Sequence, residues 1–183
     1  MLKFRIKDEE FSFTNAEELI IKDYENLAAV LNDPSVDEID RFFQAFVLLG
    51  VDGDILDGLD GFSFLKIIKE FKDVEMPVGE FTQFLEIGGR TYQSFDEEFF
   101  FSVKDMKMIE AAVKKNPSHF IGEVMAIIFK DVELTKTEHQ DDAHIKHKAK
   151  LIRENVQYKV ALPFIASFSK QMIDNLESYK NEE

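Results

Sequence analysis

The sequence predicts a mainly α fold with two short β-hairpins, an α+β class organised as a pseudo-duplicated helical bundle. Three observations carry that expectation. Apolar residues recur at helical spacing along most of the chain. Two short stretches alternate apolar and polar residues about turn-forming segments. The same order of hairpin, acidic residues and helices then occurs twice, at a period of roughly 83 residues.

The elements follow in order. Phe4 and Ile6, then Phe11 and Phe13, flank Lys7-Asp8-Glu9 and predict the first hairpin. Ser35 followed by Glu38 has capping-box spacing, ahead of a helix whose stripe is Ile39, Phe42, Phe43, Phe46 and Val47. Phe64, Ile67, Ile68 and Phe71 predict another helix. The second hairpin runs from Phe84 to Ile87 and from Arg90 to Phe95, about Gly88-Gly89, a pair suited to the positive φ of a two-residue turn. Ser102 with Asp105 repeats the capping spacing. Further stripes are Phe120, Val124, Ile127 and Ile128; Ile145, Ala149, Ile152 and Val156; and Ile165, Phe168, Met172, Ile173 and Leu176. Pro77 and Pro163 suit first-turn positions of helices.

The repeat reads as two lobes, residues 1–82 and 83–183, packed as one unit. Ile21-Lys22-Asp23-Tyr24 matches Val103-Lys104-Asp105-Met106, Ala28-Ala29 matches Ala111-Ala112, and Asp33-Pro34-Ser35 matches Asn116-Pro117-Ser118. Met76-Pro77 and Leu162-Pro163 close the two copies. Ile20 stands where the second copy has Ser102, so the repeat is weakest there.

Composition narrows the function classes. The 183 residues hold 36 acids against 22 bases, a net charge of −14. That balance argues against direct nucleic-acid binding, which needs clustered Lys and Arg to neutralise phosphate. The charge is unequally shared: residues 1–82 carry 19 acids and 8 bases, residues 83–183 carry 17 and 14. No apolar run approaches the roughly 20 residues that span a bilayer, and charged Lys3, Arg5 and Lys7 follow Met1, so no secretory leader is expected. With no cysteine, disulfides and thiolate chemistry are excluded.

Four constellations are candidates for chemistry. The run Gly50 to Gly61, with Asp52, Asp54, Asp57 and Asp60, resembles a calcium loop at first. Counted from Asp52, however, Leu56 falls on the fifth ligand position and Ser63 on the twelfth. Turn and cap geometry, with Ile55, Leu56 and Leu59 dipping into the core, is the better reading. His144 and His147, three apart, could share a helix face and a zinc ion with Asp141, but His139 need not face them, Lys146 and Lys148 crowd the position and four ligands are not assembled. No metal and no cofactor is therefore expected. Lys146, Lys150 and Arg153 form a basic row at i, i+4, i+7 beside Lys148, read either as a solvated face or as a docking stripe for an acidic partner. Phe99-Phe100-Phe101 exceeds what one face of an element can bury, which marks it as a candidate partner surface within a chain of 19 Phe and no Trp. No catalytic signature is present: GxSxG, P-loop, GxGxxG and kinase motifs are all missing, so no enzyme is expected.

The motif order resembles a family of small acidic helical proteins of tailed bacteriophages, tail assembly chaperones and related morphogenesis proteins. The resemblance is carried by Ile87-Gly-Gly-Arg-Thr-Tyr92, Phe101 to Asp105, Asn116 to Ile128, Arg153 to Asn155 and Ala161 to Ile165. Leu19 to Tyr24 and Leu48 to Asp52 extend it more loosely into the first half. It implies a non-enzymatic protein that binds a phage structural protein, of the tail or associated with it, in the host cytoplasm or the virion. It transfers no catalytic residue. An acidic nucleic-acid mimic that inhibits a host enzyme is the alternative. That alternative requires carboxylates along one continuous surface, whereas here they cluster at one loop and at helix starts.

Overall fold

The computed structural model describes residues 3–6, 9–12, 18–73, 79–80, 82–94, 103–132 and 142–166. It is mainly helical, with a small three-stranded antiparallel sheet. The first hairpin pairs β1 (Lys3–Ile6) with β2 (Glu9–Ser12), Phe4 opposite Phe11. Four helices follow: α1 (Ile21–Leu31), α2 (Glu38–Leu48), the short α3 (Gly53–Asp57) and α4 (Gly61–Lys72). The second hairpin is β3 (Phe84–Ile87) with β4 (Arg90–Gln93). Gly88 and Gly89 turn it at φ +60° and +77°, angles at which an L side chain is strained. Then come α5 (Val103–Lys115), α6 (Ile121–Ile128), β5 (Lys130–Asp131) and α7 (Asp142–Asn155). Residues 158–166 form α8. β5 adds to β4, with Tyr92 opposite Asp131, a third strand that the sequence pattern does not foretell.

Two hydrophobic clusters hold these elements. The first gathers Leu27, Phe42, Phe46, Leu56, Phe64, Ile67 and Ile68 around rings in edge contact. Phe46 meets Phe71 at 5.4 Å and Phe64 at 5.8 Å between centroids, both near perpendicular, the arrangement ring quadrupoles favour. Ile39 and Val47 stay largely exposed, so the buried stripe of α2 is Phe42, Ala45, Phe46 and then Leu49. The second cluster surrounds α6, where Ile121, Val124, Met125, Ala126, Ile127 and Ile128 are all buried. A helix apolar on all but its Glu123 side must be largely enclosed, and α5, α7 and α1 all pack against it. α1 serves both clusters, through Ile21 in one and Leu27 in the other.

Two helix-start expectations change. Asp37, not Ser35, caps α2, its side chain accepting from Ile39 N at 2.9 Å. Ser35 is already committed, its backbone N–H and its hydroxyl both donating to Asp33 Oδ1. That Asx turn closes the α1–α2 connection, and the acidic Asp37 suits the helix N-terminus at least as well. Pro163 lies inside α8 rather than in its first turn. Its ring nitrogen has no hydrogen to give Lys159 O, and the backbone N–H of Gly79 donates to that carbonyl instead, at 3.0 Å. The strand-like approach needs glycine, because a Cβ at position 79 would stand 2.8 Å from Lys159 O. Ser102 and Pro77 lie outside the described residues, as do Phe168, Met172, Ile173 and Leu176.

Ahead of α1, Ile20 bridges Gln157. Tyr158 N donates to Leu19 O at 2.7 Å and Ile21 N to Val156 O at 2.9 Å. The rings of Tyr24 and Tyr158 stack beside this junction, and burial together with the Tyr24 hydrogen bond raises the Tyr158 phenol far above its ordinary range. No helix among the described residues is long and apolar enough to cross a membrane.

Candidate functional site: a basic cleft on α7

The basic row occupies one wall of a cleft. Lys146, Ala149, Lys150 and Arg153 on α7 face Asn116 and His119 from the α5–α6 turn and Glu123 from α6, around a space of about 310 Å³. The helical period sets this wall, because Ile145, Ala149, Ile152 and Val156 are buried on the second cluster and hold the row towards the cleft. Gly122 permits the crossing. A Cβ there would fall 2.1 Å from Arg153 Cγ and 3.1 Å from Ala149 O.

Beneath the cleft lies Glu25, fully buried on α1. Its Oε1 accepts from Ile121 N at 2.9 Å and from Gly122 N at 3.3 Å, capping α6 in place of a residue of α6's own. Its Oε2 accepts from Arg153 Nε at 2.5 Å. One carboxylate therefore ties α1, α6 and α7 together, and it neutralises the guanidinium. His119 Nε2 lies 3.3 Å from Asn26 Oδ1, which links the far wall to α1 as well. Among the described residues neither Lys146 nor Lys150 has an ion-pair partner, and both are exposed. Arg153 is thus structural in part, and the two lysines are the cleft's available cations.

The other candidates fall elsewhere. Lys148, next in sequence to this row, turns inward and is 1% exposed. Its Nζ donates to Phe129 O at 2.6 Å and lies 5.5 Å from the centre of the Tyr92 ring. Burial pushes its amine down to about 7, while the Asp131 carboxylate acts in the opposite direction. Asp131 is itself buried and paired with Arg90 at 3.0 Å. Asp52 and Asp60 cap α3 and α4, and two hydrogen bonds from Ser63 hold the Asp60 carboxyl below its usual range. With Leu56 buried below them, the acidic run performs the turn and cap geometry read from sequence. His144 is half-buried and His147 exposed on α7, and His139 lies outside the described residues. Among the described residues no three metal-ligating side chains converge. Phe99, Phe100 and Phe101 also lie outside the described residues. Phe62 is wide open at 81% exposure, with Leu65 a turn further along α4 at 54%.

Sequence reasoning missed Glu25, Asn116 and His119. Glu25 carried a signal, since it stands four residues after buried Ile21 on the apolar side of α1. Asn116 and His119 carried none, because a turn some thirty residues before Lys146 joins the wall only through tertiary packing. No protein family, curated protein or solved structure matches the chain.

Proposed function

We propose that this is a non-enzymatic phage morphogenesis protein, a tail assembly chaperone or virion assembly adaptor that binds another phage structural protein. The observation that carries the reading is the cleft: a concave surface with two lysines that have no ion-pair partner among the described residues, in a chain of net charge −14. Such local charge reversal is what an interface uses to select a partner and fix its register. The phage assignment itself rests on the sequence resemblance. The non-enzymatic reading draws support from Lys148, whose altered proton affinity arises in a packed interior against Tyr92 and Phe129. The protein would act in the host cytoplasm or remain in the virion, without touching membrane or nucleic acid.

The pseudo-duplication belongs to the same proposal. It draws support from the turns at Pro34-Ser35 and Pro117-Ser118, where the serine stands three residues before the next helix in both copies, although the connection is six residues long in the first and five in the second. A common origin predicts that α1–α2 and α5–α6 cross alike, as residual dipolar couplings of the protein in solution would measure, and unrelated crossings would reject it. The functional reading is tested by capturing partners of the tagged chain from infected cells and identifying them. Recovery of a tail or tail-associated protein is expected. Recovery of a host nuclease or polymerase in its place would favour the acidic mimic and overturn the proposal.

A further inference from the structure

We infer that the α7 cleft receives an acidic helix, with carboxylates at i and i+4 pairing with Lys146 and Lys150. The inference rests on the binding-protein reading above and supplies the chemistry of the partner. Lys146 and Lys150 stand one helical turn apart on α7, roughly 5–6 Å between their Cβ atoms. A partner helix offering Glu or Asp at the same spacing meets both cations without bending. Ala149, between the lysines, is covered by α6, so a partner helix meets this wall through the exposed lysine side chains. The opposite wall adds the Asn116 amide, able to donate to a carboxylate, while the His119 ring is engaged with Asn26. A space of about 310 Å³ lies at the lower limit of ligand pockets, which suits inserted side chains better than a cofactor.

Charge decides between an acidic protein and a nucleic acid. A nucleic acid carries a phosphate at every step, and binding it requires many cations to offset the repulsion of a −14 chain. Two available lysines cannot do so, but they match two carboxylates. Glu123 is the exception in the lining, a carboxylate on α6 that repels an acidic ligand. It gives the inference a sign-sensitive test.

The probe is a fluorescein-labelled helical peptide with Glu at i and i+4, compared with its Gln counterpart by anisotropy on the whole protein. The Glu peptide should bind about tenfold tighter at 50 mM salt, an advantage that screening largely removes at 300 mM. Both lysines are exposed, so Lys146→Gln with Lys150→Gln should lower the melting temperature only slightly while abolishing the preference. Glu123→Gln should tighten the Glu peptide by about threefold, as expected for removing one nearby like charge. Equal binding of the two peptides, an unaffected double variant, weakening by Glu123→Gln, or stronger binding of a single-stranded oligonucleotide would each overturn the inference. If the double variant still captures a phage structural protein from infected cells, the inference fails and the function stands. If the wild-type chain captures none, the functional reading fails whatever the peptide does.

Discussion

At the scale of single residues, Glu25 and Lys148 show how differently two buried charges can be held. Glu25 is fully satisfied, by two backbone N–H groups and a guanidinium. Removing it strands the Arg153 cation and uncaps α6 together. Glu25→Ala should therefore cost about 3–5 kcal/mol in urea unfolding, the range for breaking a buried pair from one side. Glu25→Gln keeps an acceptor for the helix N-terminus and should cost less, and pairing Glu25→Ala with Arg153→Met should recover part of the loss. Lys148 is held against its preference, because burial disfavours its charged form. Its amine titrates near 7 in the folded chain and near 10.5 when unfolded. Between those values the unfolded chain binds the extra proton, so stability must rise with pH. The contribution approaches about 1.4 kcal/mol per pH unit for one proton. The groups facing it are Asp131 and Lys130 on β5 and Tyr92 and Arg90 on β4, with the Phe129 carbonyl. The Tyr92 phenol is raised by burial and opposes the trend only above about pH 10. Denaturation measured from pH 7 to 9.5 should show the rise in the wild type and a nearly flat profile in Lys148→Met. A rise that persists in the variant would remove Lys148 as its source.

At the scale of elements, what the sequence discloses is periodicity, and what it conceals is anything decided by a neighbour. The stripe from Ile145 to Val156 places α7 correctly, and Gly88-Gly89 specifies the second hairpin with its register. The inward turn of Lys148 was legible too, because it stands three residues after Ile145 and four before Ile152. β5 was not, since two residues cannot display an alternation. Nor was the Asp37 cap legible, because Ser35 competes for that role until Asp33 engages its hydroxyl. Of the candidate site, the basic row could be read from its spacing, while the wall of Asn116 and His119 could not. Pro163 shows the same dependence on a neighbour. Alone it predicts a helix start, yet α8 continues through it because Gly79 occupies the carbonyl it frees. Gly79→Ala should consequently destabilise the fold by about 1–3 kcal/mol, the usual cost of forcing atoms into a packed space. The obstruction is backbone, Lys159 O at 2.8 Å, and cannot rotate aside. Thermal unfolding gives the measurement, and a neutral result would mean that residues 79 and 159 do not meet as described.

At the scale of the whole molecule, the sign of the salt effect separates folding from binding. The chain carries −14, most of it on residues 1–82, and holds that charge more compactly folded than unfolded. Among the described residues, the fully exposed ion pairs do little to offset the repulsion. Lys72–Glu38, Lys66–Glu70 and Lys114–Glu110 are exposed on both partners, and such pairs are individually weak. The buried Glu25–Arg153 pair is largely shielded from solvent ions. Raising salt from 10 to 200 mM shortens the screening length from about 30 Å to under 10 Å, which relieves repulsion across the domain. The melting temperature should therefore rise, and each 1 kcal/mol gained should appear as about 2–4 °C for a chain of this length. Neutralising Asp54→Asn and Asp57→Asn should reproduce part of that gain at low salt, because neither carboxylate caps a helix and both are exposed. Over the same range the acidic peptide should bind less tightly, since its attraction to Lys146 and Lys150 is screened in turn. Opposite slopes for stability and affinity would identify repulsion spread over the first half and attraction confined to the cleft as separate electrostatic systems. A melting temperature that falls with salt would mean that attractive surface pairs, and not net repulsion, govern the fold.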